Sequence, residues 1–196
     1  MAVRKTSGPE RSKAEAILSA ALELFAERGF HGTTVPEVAK RARVGAGTVY
    51  RYFVSKEQIV NALYQYWKGE YGRALMSDVR FNVTPKALFY DLWRRMGSFA
   101  LKYPKVLTFL ELHHHGDYLD EKSRRTQEQL LVPIRGWVHD AQKRGALKAD
   151  CSPEVLMALV YGAFNGLVRA AFNGYLEMTP RVMAAAADCA WNAVKA

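Results

Sequence analysis

Cysteine is scarce in this 196-residue chain, and no long apolar run occurs in it. The two cysteines, Cys151 and Cys189, lack metal-ligand spacing and form no disulfide framework, which argues against a zinc ribbon or a disulfide-rich secreted domain. No run of eighteen apolar residues is present, so we expect no membrane span and no membrane partner. The N-terminus is basic and lacks the apolar segment of a signal peptide. These absences predict a cytoplasmic protein.

Signals for strands and for catalysis are also missing. The chain has no alternating β-branched runs bounded by hairpin turns, which argues against a sheet. It has no nucleophile–base pair, glycine-rich phosphate loop or paired carboxylates, so we expect neither enzyme activity nor a cofactor. Apolar residues make up 49% of the chain, enough to bury a sizeable core. The expected fold is all-α, with about nine helices.

Positive charge is concentrated towards the front of the chain. The net charge is +9, and residues 36–56 contain five Lys or Arg side chains against the single acid Glu37. Such a balance favours an anionic partner without naming it. Alternatively, the basic side chains only form a surface exposed to solvent. This alternative explains the charge of the whole chain better than the charge of residues 36–56.

Capping and breaking residues predict three helices in the first third of the chain. Ser12-x-x-Glu15 and Thr34-x-x-Glu37 are capping boxes, which begin helices by satisfying their first N–H groups. Gly29 ends the first helix, and the turn Arg43-Val44-Gly45 separates the second from a third at 46–53. Two short helices joined by a tight turn, the second with small, hydroxyl, aromatic and basic residues, are typical of a helix-turn-helix.

Prolines and caps mark the later helices. Ser55 caps a long helix, and Thr84, Ser152 and Thr179 each precede a proline that begins another. A proline within a helix interrupts its hydrogen bonds, so Pro133 predicts a kink. The later helices are expected at about 56–80, 85–103, 104–115, 119–144, 153–173 and 180–195.

Four segments between Glu10 and Tyr64 resemble the tetracycline-repressor (TetR) family of regulators. They are Ala-Ala-Leu-Glu-Leu-Phe-Ala-Glu-Arg-Gly-Phe at 20–30, Thr-Thr-Val at 33–35, Gly-Thr-Val-Tyr-Arg-Tyr-Phe at 47–53, and Lys-Glu at 56–57. The resemblance implies a three-helix DNA-binding domain followed by a larger helical domain that dimerises and holds an apolar effector pocket. Members are mostly repressors that a small molecule releases from DNA.

The implied organisation has three parts. Residues 1–9 form a flexible basic arm, 10–66 the DNA-binding domain with its helix-turn-helix at about 33–52, and 67–196 the effector-binding and dimerisation domain. The expected function is a ligand-responsive transcriptional regulator, most simply a repressor, that binds a palindrome-like double-stranded operator as a homodimer. The alternative is an all-α small-molecule-binding protein or enzyme without DNA function.

Nine residues are expected to contact DNA. Gly45, Ala46 and Gly47 keep the start of the recognition helix slim, so that its N–H groups can approach phosphate. Arg51 is the one long donor on that helix and is the candidate for reading guanine or holding the backbone. By resemblance, the remaining contacts come from Thr34, Thr48, Tyr50, Tyr52 and Lys56.

One position departs from the family pattern. Many members have glycine in the turn where this chain has Arg43. If the position needs a positive φ, arginine there costs about 1 kcal/mol relative to glycine. A basic side chain close to the DNA backbone would compensate by reaching a phosphate.

The second part of the chain carries candidates for an effector pocket and a dimer interface. The aromatic side chains are either ordinary core or the lining of an apolar pocket. Asn165 and Arg169 either fix a polar end of the ligand or satisfy each other and a carboxylate across the dimer. Small residues on the last two helices allow a close helix–helix contact between subunits. The effector candidates are Trp67, Trp93, Met96, Phe109, His114, Trp137, Asn165 and Arg169. The dimer candidates are Ala158, Gly162, Gly166, Ala170, Ala184 and Ala187.

Glu111 and the run His113–His115 have the spacing of a helical metal site. A di-iron site needs a second Glu-x-x-His, and the other histidines, His31 and His139, have no glutamate three residues before them. We therefore reject a di-iron site. We expect no metal and assign these histidines to the pocket or to the end of the helix, where positive charge is favourable. A single-metal effector site is the alternative.

Overall fold

The computed structural model describes residues 9–112 and 117–196, with side chains described for 13–111 and 117–196. The all-α prediction is confirmed, because this part of the chain is helical apart from loops and one isolated antiparallel bridge between Leu147 and Lys195. It contains nine α-helices and one π-helical turn. They are α1 (Pro9–Arg28), α2 (Val35–Arg41), α3 (Ala46–Tyr52), α4 (Lys56–Met76), α5 (Pro85–Lys102), α6 (Pro104–Leu107), the π-turn (Thr108–Leu112), α7 (Glu121–Lys143), α8 (Pro153–Phe172) and α9 (Pro180–Val194).

The predicted helix ends are confirmed at most positions. Gly29 and Gly145 follow α1 and α7 with φ of 69°, a conformation that glycine adopts at little cost. The Thr84 and Thr179 side chains accept hydrogen bonds from the third residues of α5 and α9. The capping box at Ser12 is wrong, since α1 begins at Pro9 and Ser12 lies inside it. A proline in the first turn needs no N–H partner, so the helix can start there.

Contacts between residues divide the chain into two compact units. The first consists of the chain up to Lys68 together with Lys105–Arg124, and the second of Gly69–Pro104 together with Arg125–Ala196. The prediction that the DNA-binding domain ends near residue 66 did not include the segment Lys105–Arg124. The predicted basic arm at 1–9 lies almost entirely outside the described residues.

The first unit has a core that joins α1 to distant parts of the sequence. Phe25 of α1 is completely buried, and its ring stacks on that of Phe109 in the π-turn at 6.1 Å between centroids. Val38 of α2, Val49 of α3 and Ile59 of α4 are also fully buried in this unit. Fixing one apolar residue from each short helix in this way positions α2 and α3.

The segment after Pro104 differs from the predicted single helix at 104–115. Only four residues are α-helical before the wider π-turn begins. In the π-turn, Glu111 accepts a 2.7 Å hydrogen bond from Lys68, and the two side chains are 8% and 6% exposed. A buried ion pair requires accurate geometry, and this pair fixes Glu111 of the π-turn on α4.

The second unit is built around aromatic side chains from α5, α8 and α9. The Trp93 ring lies 5.5 Å from Phe164 and 6.0 Å from Phe89, and its indole N–H donates to the Met183 carbonyl oxygen at 3.1 Å. Trp191 completes the cluster at 5.3 Å from Phe89. This cluster joins the three helices, and the Trp93 indole N–H within it is hydrogen-bonded.

Helix α8 exposes an unusually apolar surface. Its mean hydropathy reaches 1.6 over eighteen residues, and only 17% of that stretch is buried within the chain. By length and composition alone it is able to cross a membrane. An exposed apolar surface of this size is typical of a binding surface.

Candidate nucleic-acid interface

Helix α2 begins with the predicted capping box, and the structure confirms both halves of it. Glu37 N–H donates to Thr34 Oγ1 at 3.4 Å, while Thr34 N–H donates to Glu37 Oε2 at 2.9 Å. The Thr34 hydroxyl also donates to this carboxylate at 2.8 Å. These bonds from the Thr34 hydroxyl and backbone lower the pKa of Glu37. Both Thr34 donors are thus engaged within the protein, and a phosphate at this end would have to compete with Glu37.

The turn between α2 and α3 has the strained geometry anticipated from the sequence. Arg43 has a φ of 56°, in the left-handed region where a side chain costs about 1 kcal/mol relative to glycine. The turn is closed by a 3.0 Å hydrogen bond from Val44 N–H to the Ala39 carbonyl oxygen. A strained residue with an exposed basic side chain therefore lies just before the recognition helix.

The first residues of α3 are exposed and small, as predicted. Gly45 is the N-cap. Because it has no side chain, no side-chain hydrogen bond caps the first N–H groups of the helix. Ala46 and Gly47 are exposed, and beyond its chain neighbours and its own helix backbone a methyl group at Gly47 would meet no atom within 4 Å. The open N-terminus of α3 is suited to close approach by a phosphate or a base edge.

The side chains of α3 divide into an inner and an outer face. Val49 is fully buried and Phe53, directly after the helix, is nearly so. Tyr50 is 52% exposed and Arg51 is exposed, whereas Tyr52 is half-buried. The Arg51 guanidinium lies 5.2 Å from the Tyr52 ring centre and donates to its hydroxyl at 3.2 Å. This contact holds the long Arg51 side chain beside Tyr52.

Lys56, the predicted phosphate ligand, makes several contacts within the protein. Its ammonium donates to the carbonyl oxygens of Phe30 at 2.7 Å and Thr33 at 2.9 Å, and lies 4.0 Å from the Phe30 ring centre. An ammonium has three N–H donors. Two are used to close the turn between α1 and α2, which leaves one for a phosphate.

Ion pairs neutralise part of the basic charge beside the motif. Arg41 pairs with Glu23 at 2.8 Å and Arg28 with Glu37 at 2.9 Å. For Lys40 and Arg43 no such pair is found among the described residues. Together with Leu24, Arg28, Glu37 and Arg41, the Lys40 and Arg43 side chains line an open surface pocket of about 460 Å³. Lys40 and Arg43 therefore supply the positive charge of this surface that no ion pair among the described residues neutralises.

The eight effector candidates do not form one group. Trp93, Met96 and Trp137 are buried in the second unit, where Asn165 is half-buried and Arg169 exposed. The side-chain amide oxygen of Asn165 (Oδ1) is buried and has no hydrogen-bond partner among the described residues. Two further candidates, Trp67 and Phe109, lie in the first unit, and Phe109 is a core residue there. The last candidate, His114, lies outside the described residues.

The metal prediction is tested only in part. Within residues 13–111 and 117–196, no group of three His, Cys, Asp or Glu side chains is arranged to hold a metal ion. Glu111 instead pairs with Lys68. The run His113–His115 falls in the segment that the structure leaves undescribed.

Most of the dimer candidates lie on the chain surface. Ala158, Gly162 and Gly166 are spaced by four residues along α8 and are exposed, as is Ala184 on α9, while Ala170 is half-buried. Ala187 does not belong to this surface, because it is only 3% exposed and packs inside its own chain. The run of four alanines at 184–187 contained no signal to separate the inward residue from the outward ones.

The sequence does not reveal the buried contacts that support the turn before α2. Phe30 stacks on Tyr118 with 4.0 Å between ring centres, and Asn61 bonds to Tyr118 and to Ser123. In the sequence, Phe30 stands out only as the last residue of the segment 20–30. Nothing in the sequence near Tyr118 indicated a contact with a residue 88 positions away.

Family models match the chain over nearly its whole described length. The model of bacterial regulatory proteins of the tetR family matches residues 17–68, and a tetracyclin repressor-like C-terminal domain model matches residues 65–196. A fatty acid metabolism regulator protein of Bacillus subtilis is 26% identical over 161 residues, covering 81% of this chain and 83% of that protein. An HTH-type transcriptional repressor of Mycobacterium tuberculosis is 36% identical over 85 residues, covering 43% and 45%.

Solved structures share the fold. A TetR family transcription regulator from Marinobacter aquaeolei VT8 has a TM-score of 0.79 at 24% identity, covering 95% of this chain and 97% of that one. The transcriptional regulator FadR from Bacillus subtilis, in complex with stearoyl-CoA, has a TM-score of 0.66 at 22% identity, covering 91% and 95%. At these identities the likeness concerns the arrangement of the helices.

Proposed function

Because the chain belongs to the TetR family of transcriptional regulators, we propose that it is a cytoplasmic repressor that a small apolar or aromatic effector releases from its operator. The observation that carries the proposal is the open, glycine-flanked N-terminus of α3 with Arg51 and the Tyr50 hydroxyl on its exposed side. Relatives in this family are regulators and not enzymes, which leaves the enzyme alternative without support.

The proposed DNA contacts fall into two classes. Thr48, half-buried in the first turn of α3, and the exposed Arg51 are the proposed contacts to base edges. Tyr50, Tyr52 and the third N–H of Lys56 face phosphates and fix the position of the protein on the duplex. Thr34 remains a proposed contact only through exchange of its Glu37 hydrogen bonds for a phosphate. Base specificity then rests on few side chains.

We propose that the exposed apolar face of α8, with the outer face of α9, pairs with the same surface of a second copy. The small residues Ala158, Gly162 and Gly166 are exposed along α8, so two such helices can approach closely. A dimer would cover the apolar stretch that the single chain leaves in solvent. Two recognition helices about 34 Å apart would read a palindrome-like site.

The proposed effector site lies among the candidates of the second unit. Trp93, Met96 and Trp137 supply apolar surface, and the buried side-chain oxygen of Asn165 can accept a hydrogen bond from a ligand. Phe109 and Trp67 are left out because they belong to the first unit. A related solved structure holds stearoyl-CoA, which makes long acyl chains the first class of effector to test.

A direct test has two stages. DNase footprinting on DNA upstream of the protein's own gene is expected to show a protected, near-symmetric site. Acyl-CoA esters of different chain length and, separately, aromatic acids are then added to the complex. Release by one class and not the other identifies the effector chemistry, whereas a failure to protect any DNA would contradict the proposed function.

A further inference from the structure

The turn between α1 and α2 contacts a segment far along the chain. Phe30 lies in this turn and is buried. Its ring is stacked on Tyr118 with the two planes inclined by 20° and the centres 4.0 Å apart. Stacking at this distance is a close aromatic contact. Tyr118 follows the recognition helix by 66 residues, yet it belongs to the same compact unit.

Phe30 also contacts α4. The Lys56 ammonium lies 4.0 Å from the Phe30 ring centre and donates to the carbonyl oxygens at both ends of the turn, Phe30 and Thr33. Thr33 is fully buried, and its hydroxyl donates to the Gly29 carbonyl oxygen at 2.9 Å. Residues 29–33 are therefore fixed immediately before the N-cap of α2.

Tyr118 is itself fixed on α4 by a buried polar group. The Asn61 amide donates to the Tyr118 carbonyl oxygen at 2.8 Å, and its side-chain oxygen accepts from Asp120 N–H at 2.8 Å and from the Ser123 hydroxyl at 2.7 Å. Asn61 is 6% exposed and Ser123 is fully buried. A satisfied buried network of this kind holds its members in one arrangement.

From these contacts we propose that Tyr118 is a positioning residue for DNA binding, which acts through Phe30 to hold the turn that sets the start of α2. The chain of contacts is short. Asn61 fixes Tyr118 on α4, Tyr118 packs on Phe30, and Phe30 precedes Thr34 and the capping box by four residues. Tyr118 touches no DNA in this proposal, which rests on the proposed DNA-binding function.

The first test uses the free protein. Amide hydrogen exchange at Glu37, whose N–H is bonded to Thr34, reports the state of the α2 cap without DNA. In Tyr118→Ala this exchange is expected to rise about tenfold, while in Tyr118→Phe, which keeps the ring, it stays at the wild-type rate. Tyr66→Ala removes an exposed tyrosine of α4 and serves as the control. Equal exchange in Tyr118→Ala and Tyr66→Ala would overturn the proposal.

The second test measures affinity for a duplex that the wild-type protein selects from a random-sequence library. Tyr118→Ala is expected to bind about tenfold more weakly, and Tyr118→Phe normally. Tyr118 and Lys56 hold the same ring, but Lys56→Met also removes the proposed phosphate contact. The losses in Tyr118→Ala and Lys56→Met should therefore overlap in part in the double variant, whereas those in Tyr118→Ala and Arg51→Ala should multiply. Multiplying losses in the first pair would contradict the proposal.

The two tests separate the two proposals. If the wild-type protein selects no duplex, the DNA-binding function fails, yet the exchange at Glu37 still decides whether Tyr118 holds the turn. If Tyr118→Ala does not fold, Tyr118→Leu retains an apolar side chain without the stacked ring. An exchange rate in Tyr118→Leu equal to that of the wild type would then count against a role for stacking.

Discussion

Residues 33–57 and the pair α8–α9 are both helical, but they differ in how far contacts within the chain cover them. Such contacts fix the short helices of the first region, whereas they leave most of α8 exposed. In residues 33–57, capping bonds, the Lys56 contacts and a small buried core fix two short helices. In α8, most of the apolar stretch is exposed. The difference is that contacts within the chain fix residues 33–57, whereas most of the apolar stretch of α8 stays exposed, as the proposed dimer requires.

The largest effect is expected from a charge placed on α8. Leu159 is 55% exposed there, and Leu159→Asp would bury a carboxylate in the proposed dimer contact. Since loss of the dimer also separates the two recognition helices, binding to a two-half-site duplex should fall about 100-fold. Light scattering and gel-shift titration measure both effects.

The control for this change is Leu101→Asp, which alters an equally exposed leucine on α5. It should leave the mass in solution and the DNA affinity unchanged. If Leu159→Asp still forms a dimer, the contrast between a complete first region and an incomplete second region is lost.

The next largest effect concerns the ion pair that ties the π-turn into the first unit. Glu111→Ala leaves the buried Lys68 ammonium without its carboxylate, which should lower the free energy of unfolding by about 3 kcal/mol. Urea titration at fixed protein concentration measures the change. Glu70→Ala breaks the more exposed pair with Arg73 and should cost less than about 1 kcal/mol. Similar losses in the two variants would show that Lys105–Arg124 does not stabilise the unit.

A smaller effect of opposite sign is expected at the turn of the motif. Arg43→Gly removes the cost of a side chain at φ of 56° and should raise the free energy of unfolding by up to about 1 kcal/mol. It also removes a positive charge near DNA, so affinity should fall. Arg43→Ala removes the same charge and keeps the strain. Thermal melts of both variants check the sign, and equal stability of the two would rule out strain at this position.

The smallest effect is the pH response of the α2 cap. Hydrogen bonds from Thr34 lower the pKa of Glu37 below its usual 4.5. The cap therefore contributes its full stabilisation above pH 4.5 and loses it as the pH falls through the lowered pKa of the folded state. An NMR titration of Glu37 should show the low pKa in the wild type and a higher one in Thr34→Ala. A pKa of 4.5 or above in the wild type would be inconsistent with the bonded cap.

The comparison of the two regions also explains which features were predictable from sequence. Local chemistry marks the start of α2, the turn at Arg43 and the proline-led helices, because a cap or a strained φ depends on a few adjacent residues. The π-turn and the inward direction of Ala187 depend on packing against distant segments. The same is true of the contact between Tyr118 and Phe30, for which neither residue's neighbours carry a signal.

For the proposed DNA contacts, the sequence predicted the exposed residues and the Thr34–Glu37 capping box, but not the partners of Lys56. Tyr50, Arg51 and Gly47 lie on the open side of α3 as expected. Thr34 and Lys56 are on the expected elements, but hydrogen bonds within the protein already engage most of their donors. The partner of Thr34, Glu37, follows from the predicted capping box, whereas the contact between Lys56 and the turn after α1 depends on how the helices pack.

The salt dependence of binding to a selected duplex tests the central claim most directly. A dimer that neutralises about six phosphates should show a slope of log affinity against log salt near −5, and should lose roughly a thousandfold in affinity between 50 and 200 mM salt. This result would show that binding neutralises about six phosphates, as the contacts proposed at α3 and the start of α4 require. Affinity that stays constant across this range, or no binding to any duplex, would contradict the account.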